Sequence, residues 1–231
     1  MKPVRAIIYD AGHTLLRPRL EPPDIWDFLG GQLGVEFARE RPLPDAGYYF
    51  YRDMMGEYDS DARARGFWNS YYVKAMQATG IDETDDNLQA AANALHDWYQ
   101  QPEQWLIYPE VPEMLQRVQA LGLRQGVISD WGTDLVPLLH AHDVSDHLDF
   151  VVASAAVGAA KPHPEIFHYA LARAGLQADD VLYVGDSYIS DVLGARAVGI
   201  AAVLIDREQR APEVDCPVVT SLLDVLELIE P

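Results

Sequence analysis

A side chain that attacks phosphorus must be nucleophilic, must be fixed in place, and must be surrounded by groups that offset negative charge. Asp10 meets the first two conditions, because it closes the apolar run VRAIIYD (4–10) and is followed at once by the bend AGHT, ending on Thr14. Further polar groups close or follow other apolar runs: Ser129 and Asp130 after LRQGVI, Lys161 in KPHPEIF (161–167), Asp186 in VGDS, and Asp191 beyond it. Attack by an Asp10 carboxylate followed by hydrolysis of the resulting acyl phosphate would split one hard displacement into two easier ones. Two anions repel, so such a site calls for a divalent cation. The carboxylates of Asp10 and Asp186 and the backbone carbonyl of Gly12 are hard oxygen donors suited to Mg²⁺, with Asp191 beside them to complete or orient the set. Ser129 would hydrogen-bond a phosphoryl oxygen, and Lys161 would neutralise charge on the nucleophile and the transferring group.

These residues converge only if the elements that carry them share one edge. Five short runs rich in Val, Ile and Leu recur at 4–10, 123–129, 149–154, 180–186 and 201–206. Continuous apolar runs of this kind predict strands buried on both faces of a parallel sheet. Helical patterns lie between them, in VPEMLQRVQALG, in 134–139, in PEIFHYALARAG and in SDVLGARAVG, three of them ending on a glycine (Gly122, Gly175, Gly199). Helix, glycine, strand is the usual punctuation of an α/β chain. The expected fold is therefore a doubly wound parallel α/β sheet, in which ligands bind outside the carboxyl ends of the strands.

Residues 17–106 break the rhythm. A proline-rich lead-in, RPRLEPP (17–23), gives way to the helix-like, aromatic-rich stretches GYYFYRDMM (47–55), FWNSYYVKAMQATG (67–80) and DNLQAAANALHDWYQ (86–100). The division expected is a core of 1–16 and 107–231 with a helical insertion of 17–106.

The four fragments, taken in order, are Asp10-x-x-x-Thr14, Ser129 at the second core strand, Lys161-Pro-x-Pro-x-Ile-Phe167, and Gly185-Asp-Ser-x-x-x-Asp-x-x-Gly-Ala195. Their order and spacing resemble the haloacid dehalogenase superfamily, in the branch with a helical cap inserted after the first core strand, and the likeness spans essentially the whole chain. The resemblance implies a Rossmann-like core and a Mg²⁺-dependent phosphatase-type hydrolase. It further implies Asp10, Ser129 and Lys161 as catalytic residues, Thr14, Ser129, Asp130 and Lys161 as the substrate-binding set, and Asp10, Gly12, Asp186 and Asp191 around the metal. In one respect the chain departs from the pattern: phosphatases of the family carry a second Asp, which protonates the leaving group, where this chain has Gly12. A positioned acid or base contributes about 10² to 10⁴ in rate, so its loss implies a slow enzyme or one limited to good leaving groups. His13, next to it, titrates near neutrality and is a candidate replacement. Other readings are a phospho-ligand or protein-binding module, a phosphonate hydrolase needing a cap lysine (Lys74 would be the candidate), and a dehalogenase. The last two are disfavoured, because Lys74 stands in a helical, Tyr-rich stretch that reads as structural and because Asp186 and Asp191 are both present.

The composition narrows the partners. A formal net charge of −19, with lysines only at positions 2, 74 and 161 and the arginines scattered, repels nucleic acid and anionic lipid. One cysteine, Cys216, rules out an internal disulfide and suits a reducing compartment. With the first strand starting near Val4 and no long apolar run, the expectation is a cytoplasmic monomer or homodimer acting on a small phosphorylated substrate without nucleic acid or membrane.

Overall fold

The structure is a computed structural model that describes residues 4–44 and 54–229. Its centre is a six-stranded sheet built from β1 (Ala6–Tyr9), β4 (Arg124–Ser129), β5 (Phe150–Ala153), β6 (Val181–Gly185), β7 (Ala201–Ile205) and β8 (Val218–Val219). The order across the sheet is β5-β4-β1-β6-β7-β8, and every neighbouring pair is parallel. Numbered by core strand, that is the 3-2-1-4-5-6 order of doubly wound folds. Its reversal lies between β1 and β6, so the crevice opens where those strands end, at Asp10 and Asp186.

The expected alternation of strand and helix holds. Side chains alternate across β1, so Ile7 and Tyr9 join one apolar cluster and Ala6 and Ile8 the other. Helices α4 (Val111–Ala120), α5 (Leu135–Ala141) and the C-terminal α9 (Leu226–Ile229) cover the first face through Met114, Leu115, Val118, Leu138, Leu139 and Leu226. Helix α7 (Pro164–Ala174) and α8 (Gly194–Ala197) cover the second through Ile166, Phe167, Ala170 and Ala195. Ile7 and Ile8 are fully buried, and each such side chain stabilises the fold by about 1.5–3 kcal/mol relative to exposure. A one-turn helix, α6 (Ser154–Val157), follows β5.

Between β1 and α4 the chain leaves the sheet and returns. Strands β2 (Leu16–Pro18) and β3 (Trp105–Ile107) pair antiparallel, Leu16 opposite Ile107 and Pro18 opposite Trp105, and form the neck of this excursion. Beyond the neck lie α1 (Pro22–Leu33), α2 (Asp61–Gln77) and α3 (Asp85–Tyr99), joined by a cluster of their own that includes Trp26, Leu29, Tyr72, Met76, Leu88 and Leu95. Side-chain oxygens start two of these helices: Ser60 accepts from the Arg63 amide and Thr84 from that of Asn87, each satisfying an otherwise orphaned N–H. Gly34 ends α1 at φ 69°, a left-handed turn favouring glycine. Of the helix-like stretch 47–55, residues 47–53 lie outside the described part, and Met54 and Met55 stand in a turn.

The helical layer is seated on the core. Asp61, the first residue of α2, accepts from both the backbone N–H and the hydroxyl of Thr133, each at 2.8 Å. The Ser154 hydroxyl donates to the Tyr58 carbonyl, and Met54, Tyr58 and Phe67 pack on Ala160 beside Lys161. Among the described residues no helix is long and apolar enough to cross a membrane.

Three elements differ from the sequence expectation. The sixth strand, β8, is two residues long and leaves no periodic trace, and the β2–β3 neck lies partly in what reads as a proline-rich lead-in. The helical pattern after Asp186 begins as a π-helix, Tyr188–Leu193, before α8. A π turn is wider than an α turn, and that width decides where Asp191 points.

Candidate functional site

β1 delivers Asp10 to the switch point, where its N–H donates to the Val184 carbonyl of β6 at 2.8 Å. The chain then folds back tightly: the N–H groups of Leu15 and Leu16 both reach the Ala11 carbonyl, and His13 sits at φ 55° with its N–H on the Leu16 carbonyl. This turn seals Thr14 inside. Its side chain is fully buried and its hydroxyl has no hydrogen-bond partner.

Lys161 is the hub. Its Nζ lies 2.6 Å from Asp10 Oδ1 and 2.6 Å from Asp191 Oδ1, with all three side chains buried. Its backbone N–H donates to Asp130 Oδ1 at 2.8 Å, so Asp130, expected at the substrate, instead fastens the loop that carries the lysine. Asp191 is committed on both oxygens: Oδ1 also accepts from the Tyr183 hydroxyl at 3.1 Å, and Oδ2 from the Ser187 N–H at 2.8 Å. The π-helix turns Asp191 back beneath Gly185, where a β-carbon would stand 2.2 Å from the Asp191 carboxyl carbon. Any larger residue at 185 would displace Asp191 and, through it, Lys161. Ser129 is buried at the end of β4 and helps to favour the ionised Asp10 carboxyl.

Ligand oxygens of Asp10, Asp186 and Asp191 all lie within 4.8 Å of one another, and Asp186 is the exposed member. Among the described residues Lys161 is the one cation ion-paired to this group. One positive charge against three carboxylates leaves an excess that a small divalent cation fits, and the donors are hard oxygens of the type that binds it. The electrostatics express the same excess. Burial, then the negative charge of Asp191, raises the Asp10 carboxyl above the ordinary carboxylate range, although Lys161 and Ser129 oppose the shift. Crowding by protein and the charges of Asp10 and Asp191 hold Asp186 well above its ordinary value, even though its outer edge meets solvent. Burial pushes Asp130 up to about 7. For Lys161 burial works toward neutrality, and the carboxylates of Asp10 and Asp191 overcome it.

A carboxylate whose proton is held more tightly in the fold than in the unfolded chain stabilises below its unfolded pKa, and loses that contribution as the pH rises through its folded value. Without metal, the melting temperature is therefore expected to fall as the pH rises from the ordinary carboxylate pKa of about 4 to the Asp130 value of about 7. Thermal scans in chelator test this. A flat or rising melting temperature over that window would show that the acidic cluster carries no such penalty.

A profile of the haloacid dehalogenase-like hydrolases matches residues 4–199, most of the chain. The chain belongs to this hydrolase family. It is 34% identical over 214 residues to the haloacid dehalogenase-like hydrolase domain-containing protein 3 of Xenopus laevis, covering 87% of this chain and 84% of that one. It is 25% identical over 225 residues to the phosphoserine phosphatase of Thermus thermophilus, covering 90% of each. Among solved structures, a Bacillus subtilis haloacid dehalogenase-type hydrolase described as bound to magnesium and as revealing interdomain movement superposes with a TM-score of 0.73 over the whole of both chains at 14% identity, a likeness of fold. As a haloacid dehalogenase-like hydrolase, the chain places Asp10, Ser129, Lys161, Asp186 and Asp191 at one crevice, whereas Thr14 lies under the loop and Asp130 behind the lysine. Gly12 stands beside Trp131: a β-carbon there would lie 3.3 Å from the Trp131 ring, which packs edge-on against Trp105 with centroids 4.6 Å apart. His13 is an exposed residue, crowding by protein lowers its imidazole below the ordinary value, and the charges that act on it, Glu208, Arg207 and Glu21, lie outside the cluster.

Two residues that brace the site carry no signal in the sequence. Tyr183 braces Asp191 and the Ile128 carbonyl from within β6, where it reads as one more apolar strand position. Arg207, beyond β7, contacts the loop after Asp10 and belongs to no motif.

Proposed function

We propose that this hydrolase is a Mg²⁺-assisted phosphatase acting on a small phosphorylated substrate through an aspartyl phosphate on Asp10. The observation that carries the reading is the Lys161 bridge: one buried ammonium holds Asp10 and Asp191 at 2.6 Å each, at the point where the sheet opens. Attack by Asp10 forms its bond to phosphorus while the ester oxygen leaves. Lys161 and Ser129 donate to the nucleophile and to the phosphoryl oxygens, and water then cleaves the acyl phosphate to return the carboxylate. Asp10, Asp186 and the Gly12 carbonyl would hold Mg²⁺, with Asp191 orienting Lys161 beside it. When bound, the ion offsets the charge between nucleophile and phosphoryl group. The phosphatase name of the Thermus relative and the Mg²⁺-bound Bacillus structure support this reading. Gly12 supplies no proton, so esters of weakly acidic alcohols turn over slowly. The decisive assay is phosphate release from a panel of phosphorylated metabolites and an aryl phosphate, with and without Mg²⁺. Mg²⁺-dependent release supports the proposal. Binding of Mg²⁺ and phosphate with no release from any member would instead make the chain a phospho-ligand-binding relative, the reading Gly12 favours.

In this proposal residues 17–106 act as a cap that excludes water from the crevice during transfer. Asp61 is then a latch, since its carboxylate bridges α2 to the loop after β4. Asp61→Ala is expected to raise amide exchange at residues 131–134 by several-fold, the loss of a hydrogen bond or two in local opening energy. Exchange equal to wild type would show that the apolar contacts around Ala160 hold the layer down alone.

A further inference from the structure

The turn after β7 is shaped by Asp206, whose carboxylate accepts from the N–H of Arg210 at 3.1 Å and of Ala211 at 2.7 Å. It presents Arg207 at the carboxyl edge of the sheet, one strand away from Asp186. The guanidinium is used in three directions. Nε donates to the His13 carbonyl at 3.2 Å, Nη2 to the Thr14 carbonyl at 2.7 Å, and Nη1 pairs with the Glu110 carboxylate. Its carbon lies 3.6 Å from the centroid of the Tyr108 ring. The side chains of Arg207 and Glu110 are each only 16% exposed, so this pair is shielded in a way that a surface ion pair is not.

The partners on either side define what the fork connects. His13 and Thr14 lie in the loop that leaves Asp10, and His13 adopts a left-handed conformation that disfavours a residue with a β-carbon. Tyr108 and Glu110 lie where the chain rejoins the core after β3, and the Tyr108 N–H donates to the Leu15 carbonyl at 3.1 Å. A lysine offers a point charge and cannot satisfy two carbonyls, a carboxylate and a ring face together.

We propose that Arg207 is a positioning residue that pins the Asp10–Leu16 loop to the Tyr108–Glu110 junction, so that Asp10 and the Gly12 carbonyl keep their places when the helical layer moves. This rests on the reading of that loop as carrying the nucleophile and a metal ligand. The test compares full-length wild type, Arg207→Met and Arg207→Lys by amide exchange of residues 11–16, by calorimetric Mg²⁺ titration, and by kcat and KM on an aryl phosphate. Exchange is expected to rise about tenfold, and Mg²⁺ affinity and kcat to fall about 10- to 100-fold, the usual effect of losing a residue that orients ligands, while KM changes less than about threefold. Arg207→Lys should not recover the loss. Should Arg207→Met fail to fold, Glu110→Gln, which weakens one arm of the fork, should move the same quantities in the same direction. Unchanged exchange at 11–16 overturns the proposal, and so does raised exchange with unchanged Mg²⁺ affinity. A wild type without turnover would defeat the phosphatase reading, while exchange and Mg²⁺ titration would still decide for or against the pin.

Discussion

Asp10→Asn is expected to fold normally, to melt at a higher temperature than wild type in the absence of metal, and to lose turnover of every phosphate ester by about 10⁴-fold or more, the scale on which removing a nucleophile acts. Asparagine keeps the size of the side chain and a carbonyl oxygen that can accept from Lys161. The lysine also retains its 2.6 Å pairing with Asp191, so the substitution leaves no buried charge unpaired. What disappears is a carboxylate whose ionised form is disfavoured by burial and by the charge of Asp191. A functional site that concentrates like charge gives up stability, and neutralising one member returns some of it. For a chain of this size each 1 kcal/mol regained raises the melting temperature by about 2–4 °C. Retained Mg²⁺-dependent turnover in the variant would remove the covalent step from the mechanism. A lower melting temperature would show that the Lys161–Asp10 pair is a net stabiliser.

The parts of this molecule that are legible in its sequence are those fixed by local pattern. Strands buried on both faces must be continuous apolar runs, so β1, β4, β5, β6 and β7 stand out, and a polar residue ending such a run marks the edge where a crevice opens. Asp10, Ser129 and Asp186 were readable for that reason, and Lys161 because its loop leads into a proline-started helix. What escapes is set by contacts distant in the chain. Asp130 looks like a crevice residue by position, yet its carboxylate is taken by a backbone N–H from residue 161. The inward turn of Asp191 depends on a π-helix that no periodicity announces, and on a glycine at 185 whose absent side chain leaves the room. Arg207 is separated from His13 by 194 positions, and its neighbours in sequence give no sign of what it holds. β8, with two residues, is recognisable only because β7 offers it an edge to pair with.

Gly12→Asp is expected to raise turnover of alkyl phosphates by about 10² to 10⁴, the contribution of a positioned acid or base. The position is suited to the test. Gly12 does not adopt the left-handed backbone that would penalise a side chain, and the nearest obstacle to a β-carbon is the Trp131 ring at 3.3 Å, a contact relieved by a shift of a few tenths of an ångström. Because Trp131 is braced by Trp105, the same substitution in a Trp131→Phe background separates crowding from chemistry. A gain that appears only in the double variant means that the indole blocked the new carboxylate. The gain should depend on the leaving group: a phosphate of an acidic phenol departs without protonation, so its first step should change little, while the later hydrolysis of the aspartyl phosphate still benefits from a base. The wild type should accordingly show a burst of phenol release with Asp10 phosphorylated, and Gly12→Asp should abolish the burst. His13→Ala should leave the wild-type rate within about threefold, since the charges that act on the imidazole are Glu208, Arg207 and Glu21 rather than those of the cluster. If the wild type turns over alkyl phosphates briskly and His13→Ala slows it by 10²-fold or more, the imidazole has taken the role that Gly12 leaves open.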